Sequence, residues 1–137
     1  MWWIYALLSA LFAALTAILV KKGISNMDSD YAMAIRTVVI LLIAWAFAFA
    51  KGSITPIERL STRNITFIVL SGIATGLSWI FYFRALQIGK VSQVAPVDKL
   101  SLALTILLAV IFLGEPLTWQ TGFGAALIIA GVFVLIL

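Results

Sequence analysis

Five apolar runs follow one another along the chain. Each is close to the ~20 residues that a helix needs to cross the hydrocarbon core of a bilayer. They extend from about Trp3 to Val20, Tyr31 to Ala50, Ile65 to Ile88, Ser92 to Leu113 and Leu117 to Leu137. Within each run the apolar residues are continuous, whereas a barrel strand would be about ten residues long and would alternate. The fold class that follows is an all-α integral membrane protein of about five transmembrane helices. Composition agrees: 10% of the residues are charged, against about 25% in a soluble domain. Most of the surface must therefore face something other than water.

The first run is not preceded by a positive region, continues to Val20 and is followed by Lys21-Lys22. It reads as a first membrane span and not as a removed leader. Trp2, Trp3 and Tyr5 suit the aromatic belt at an interface. The connections carry helix punctuation. Gly23 fits a C-cap, and Asp28, Ser29 and Asp30 suit the N-terminal dipole of the second helix. Lys51-Gly52-Ser53 ends that helix, and Pro56 prevents its continuation. Gly89-Lys90 ends the third. Gly114-Glu115-Pro116 separates the fourth from the fifth, with Pro116 at a first helical position. The chain reads as a single domain over residues 1–137.

An odd number of spans puts the termini on opposite sides. The first and third loops then share the side of the C-terminus. Lys21, Lys22, Arg84 and Lys90 fall on that side, against Lys51, Arg59 and Arg63 on the other. Adding the deeper Arg36 and Lys99 tips the count further towards the C-terminal side being cytoplasmic. The bias is weak, as insertion in both orientations would require.

Several function classes lack their residues. Cysteine and histidine are both absent, which removes disulfides, thiolate metal sites, and the commonest general base and metal ligand. No GxGxxG, P-loop, HExxH or Ser-His-Asp set occurs. No enzyme, metal or cofactor is called for. The net charge of +4 fits basic loops facing anionic lipid, so lipid bilayer and not nucleic acid is the expected partner.

Charges inside a span usually face a bundle interior or a wet cavity. Arg36, Arg84, Asp98 and Lys99 all lie ~6–10 Å from a helix end at 1.5 Å per residue. All four share one leaflet, because the second and fourth helices start, and the third ends, on the same side. Snorkelling accounts for Arg84. Arg36 and Asp98 read either the same way, with Asp98 at a first helical turn, or as an inward ion pair or substrate contact. Adjacent residues point about 100° apart, so Asp98 and Lys99 should not face one point. Trp79, Tyr82 and Phe83 share this end, with Trp79 and Phe83 on one face. They either line a pocket or pack and anchor. Gln87 and Gln93 add polar groups to a pocket or belong to loops. Pro96 either starts the fourth helix or sits inside it; a start near Ser92 spans the bilayer comfortably and would weaken one backbone bond at Pro96. Glu115 fits an anion at a helix N-terminus.

Small residues let helices approach in lipid. Ser9, Ala13 and Ala17 are spaced four apart, as are Gly72 and Gly76, and Gly122, Ala126 and Ala130; Gly124 and Gly131 lie nearby. These serve contacts within one bundle or, for the fifth helix, a subunit interface as well.

The ordered set Tyr82-Phe83-Arg84-Ala85-Leu86, Val91-Ser92-Gln93-Val94-Ala95-Pro96-Val97, Leu113-Gly114-Glu115-Pro116-Leu117-Thr118 and Gly131-Val132 resembles an EamA domain of the drug/metabolite transporter superfamily. The resemblance covers essentially the whole chain and is strongest from Trp79 onwards. Most members carry two five-helix repeats of opposite orientation and move amino acids, nucleotide-type metabolites and drugs. One repeat implies pairing of two copies. The chain is also similar to small multidrug resistance proteins in being a short unit, but departs from them in having five spans and no acid in the first helix. The resemblance implies a multi-pass protein of a cell membrane, as in the bacterial inner membrane. It implies a secondary transporter of small metabolites or drugs, acting as an antiparallel homodimer by alternating access. The substrate-contacting residues expected are Arg36, Trp79, Tyr82, Asp98 and Lys99. Arg36 and Lys99 favour an anionic or zwitterionic group, and Asp98 either carries a proton or holds Arg36. The alternative is a non-transporting membrane subunit that scaffolds or regulates a partner.

Overall fold

The computed structural model describes residues 1–52 and 60–137. It contains α1 (Trp2–Gly23), α2 (Ser29–Ala50), α3 (Thr62–Ile88), α4 (Val91–Asp98), α5 (Leu100–Leu108) and α6 (Trp119–Ile136). A 3₁₀ turn over Ile24–Asn26 follows α1, and a π turn over Ala109–Leu113 follows α5. Among the described residues there is no strand, and five helical stretches are long and apolar enough to cross a membrane. The fourth of them, Val91–Leu113, is made of α4, α5 and the π turn together. Pro56 and Arg59, which entered the loop reading above, lie outside the described residues.

The helix ends are set by identifiable groups. The Asp28 carboxylate accepts from the backbone N–H of Asp30 at 2.9 Å and of Tyr31 at 3.1 Å, which caps α2 and satisfies two of its orphan donors. Ser61 Oγ accepts from Arg63 N–H at 3.2 Å, so α3 begins earlier than its apolar run. Thr118 Oγ1 accepts from Thr121 N–H at 3.2 Å and caps α6. That cap corrects the placement of Pro116: the proline lies in the connection before α6, not at its first position. Gly23 is also corrected. Its φ of −69° is ordinary right-handed backbone, and the chain tightens into the 3₁₀ turn instead of closing on a left-handed cap. Left-handed glycines occur at Gly52 and Gly114, with φ of +61° and +67°. Gly114 closes the π turn, where Glu115 N–H donates to Ala109 C=O at 3.3 Å. That closure is one residue wider than the usual glycine-capped helix end, as the wider π turn demands.

The chain's contacts form two compact units. The first comprises Met1–Ile18 with Ile88–Leu137, and in it α4 and α5 pack against α6. The second comprises Leu19–Gln87, and its buried apolar residues are Val20, Ile24, Phe83 and Leu86. In the first unit Val132 is buried, and most other large apolar side chains are exposed, Phe112 and Val134 at 77% and 73% among them. An apolar exterior of this kind is the surface that hydrocarbon requires.

Candidate functional site

The second unit carries the denser cluster of polar and aromatic groups. Three helix ends meet there. Lys21 Nζ, at the end of α1, donates to Leu86 C=O at 2.5 Å, which satisfies a carbonyl in the last turn of α3. Gln87 Nε2 donates to Met27 C=O at 3.2 Å. Arg84 forms a fork with Asp30: Nε donates to Oδ1 at 3.0 Å and the second nitrogen to Oδ2 at 2.5 Å. The start of α2 therefore lies beside the ends of α1 and α3, as a shared side for the first and third loops requires. Arg84 does not simply snorkel. Its partner Asp30 also suits the α2 dipole, and no spacing in sequence links positions 30 and 84. Gln87 belongs to the same tie.

One turn deeper, Arg36 of α2 lies over two rings of α3. Its guanidinium carbon is 4.5 Å from the Trp79 ring centroid and 5.4 Å from that of Phe83. Both are within cation–π range. Trp79 and Phe83 are four apart and present one face, as expected. Phe83 is buried at 1% exposure, while Arg36, Trp79 and Tyr82 are half-buried. Tyr82 is close enough to act on Arg36 electrostatically.

Asp98 and Lys99 belong to the first unit. Pro96 lies inside α4, and the helix is interrupted three residues later, at Lys99. Lys99 N–H donates to Pro96 C=O at 3.0 Å, a tightened i→i−3 bond, and α5 starts at Leu100. At this interruption Lys99 Nζ lies 3.1 Å from Asp98 Oδ2. The expectation that these adjacent residues diverge is thereby corrected. The break in the helix and the four-carbon lysine stem let the two tips meet. Arg36 and Asp98 thus sit in different units, each with its own partner there. Glu115 is exposed in the turn before α6.

Between α5 and α6 runs an apolar groove of about 510 Å³, whose lining includes Leu104, Leu107, Gly122, Ile129 and Phe133. The glycine steps Gly72/Gly76 and Gly122 are open. A Cβ added at any of them meets nothing within 4 Å among the described residues.

Five helices long and apolar enough to cross a membrane, among the described residues, define a multi-pass membrane protein. The chain belongs to the EamA-like transporter family, which matches residues 1–137. An uncharacterized transporter from the cobO 3′ region of Sinorhizobium sp. is 46% identical over 134 residues, 98% of this chain and 95% of the relative. An uncharacterized protein of Methanocaldococcus jannaschii is 32% identical over 73 residues, covering 53% of each chain. The uncharacterized transporter YvbV of Bacillus subtilis is 28% identical over 127 residues, which are 93% of this chain but 42% of the relative. No solved structure matches. A lipid bilayer environment and a small-molecule substrate follow from the family.

Proposed function

We propose that this protein is a secondary transporter of small metabolites or drugs that works as an antiparallel homodimer by alternating access. In this reading residues 1–137 form one EamA-like transmembrane domain. The family match over the whole chain is the observation that carries it. The relative YvbV is more than twice as long as the region matched, which fits a transporter built from two such units. Open glycine faces on α3 and α6 and nearly balanced loop charges fit antiparallel pairing. Substrate contacts are assigned to Arg36, Trp79 and Tyr82 in the second unit and, separately, to Asp98 and Lys99 in the first. The interrupted helix at Lys99 supports this choice, because transporter sites are commonly built where membrane helices are discontinuous. Uptake of candidate metabolites into proteoliposomes holding only the purified protein tests the proposal. Accumulation above empty vesicles is expected. Its absence across a broad substrate panel, for protein shown to be folded, would favour a scaffolding or regulatory subunit.

A further inference from the structure

Arg36 is held in a way that leaves its recognition edge free. Its guanidinium lies over the faces of Trp79 and Phe83. Stacking uses the face of the guanidinium plane, while the N–H donors project within that plane. Among the described residues none of those donors has a hydrogen-bond acceptor. Of the four acids there, Asp28 caps α2, Asp30 holds Arg84, Asp98 holds Lys99, and Glu115 stands in the turn before α6. Snorkelling would carry the group away from the rings towards the headgroups. Instead it stays half-buried on an aromatic wall anchored by Phe83, at 1% exposure. A cation with unused donors inside a membrane span is costly unless an acceptor arrives. The acceptor that matches a planar fork of N–H groups, and also neutralises its charge, is a pair of oxygens on one anionic group.

We infer that Arg36, backed by Trp79 and Phe83, is a binding site for an oxyanion, a carboxylate or a phosphate, presented by a transported solute or by a lipid headgroup. A solute as the source rests on the transporter reading; the binding itself does not. Trp79 provides the reporter. Replacing Trp2, Trp3, Trp45 and Trp119 by Phe leaves it as the single tryptophan. Delipidated protein in a phosphate-free maltoside detergent is titrated with sodium phosphate, with sodium acetate and, in a separate arm, with dihexanoyl phosphatidylglycerol, ionic strength being held by sodium chloride. A saturable change in Trp79 emission is expected. Arg36→Gln should weaken it about tenfold or more, as loss of charge-assisted hydrogen bonds predicts. Arg36→Lys, which keeps the charge and loses the fork, should weaken it by less. Melting curves establish that each variant is folded, and calorimetric titration of the otherwise unaltered chain gives the same comparison without the Phe replacements. Saturation by phosphate or acetate assigns the site to a solute, and saturation by the lipid alone assigns it to a headgroup. The inference is overturned if no probe saturates, or if the folded variants bind as tightly as wild type. Intact anion binding without uptake would count against transport and leave the site standing.

Discussion

Arg84 and Arg36 occupy the same end of the second unit and reach different solutions. Arg84 finds a carboxylate with which it makes a two-pronged bridge, and the product is a tie between the start of α2 and the end of α3. Among the described residues Arg36 lies over aromatic faces, with Tyr82 nearby, and meets no carboxylate. The difference predicts different mutational behaviour. Asp30→Asn or Arg84→Gln removes one member of the tie and should lower the melting temperature by a few degrees. The exchange of the two residues, Asp30→Arg with Arg84→Asp, should recover part of that loss, because the bridge can re-form with reversed ends. Thermal melts of the four forms in one detergent show whether the exchange restores stability. If both single variants melt with wild type, the bridge is an exposed ion pair of negligible worth. Lys21 adds to the same tie by a different route, as a cation satisfying a carbonyl at the end of α3, where the helix dipole favours positive charge.

At the scale of the element, the fourth span is the irregular one. Pro96 has no N–H to give to Ser92 C=O, so the ladder is short of one bond even before the interruption at Lys99. The span then widens into the π turn over Ala109–Leu113 and ends at Gly114 with a φ of +67°. Substituting Gly114 isolates the backbone contribution, since a Cβ there meets nothing within 4 Å. Gly114→Ala should therefore cost about 1–2 kcal/mol of unfolding free energy through left-handed strain alone. Gly114→Asn should cost less, because Asn tolerates that conformation. Reversible unfolding in mixed micelles reads both. Equal stability of Gly114→Ala and wild type would mean that the turn relaxes to another closure.

For the whole molecule, the open glycines provide a clean separation of folding from assembly. At Gly72 and Gly122 an added Cβ meets nothing within 4 Å, and Gly122 lines the α5–α6 groove, so Gly72→Leu and Gly122→Leu start from open positions. Both should leave the melting of the monomer close to wild type, while an interface built on close helix approach should be lost. Light scattering of the detergent-solubilised protein reads the mass. A dimeric mass in both variants would exclude these faces from the contact. Topology is tested independently, and the absence of native cysteine makes the background clean. Single cysteines at Ser25 and Ser92 should label from one side of the membrane and at Ser61 from the other. In a population of one orientation, labelling of Ser25 and Ser61 from the same side would break the five-span order.

The spans and the class of protein were determined by the sequence itself, because a membrane helix is selected by a local quantity, the apolar content of about twenty consecutive residues. Most caps were equally local: Asp28 acts on residues two and three positions on. The Gly23 and Pro116 expectations failed for a related reason. A glycine or proline permits a helix end, but the neighbouring Ile24–Asn26 turn and the Thr118 cap decide where it falls. The aromatic face of Trp79 and Phe83 was legible from their spacing, yet which cation would cover it was not. Partners 43 and 54 residues apart, Arg36 with Trp79 and Arg84 with Asp30, are brought together only by the antiparallel packing of α2 on α3. Only the tertiary structure could assign one arginine to a carboxylate and leave the other's hydrogen-bonding edge open. The sequence places both in the same leaflet with the same chemistry, and the distances that separate their roles are non-local.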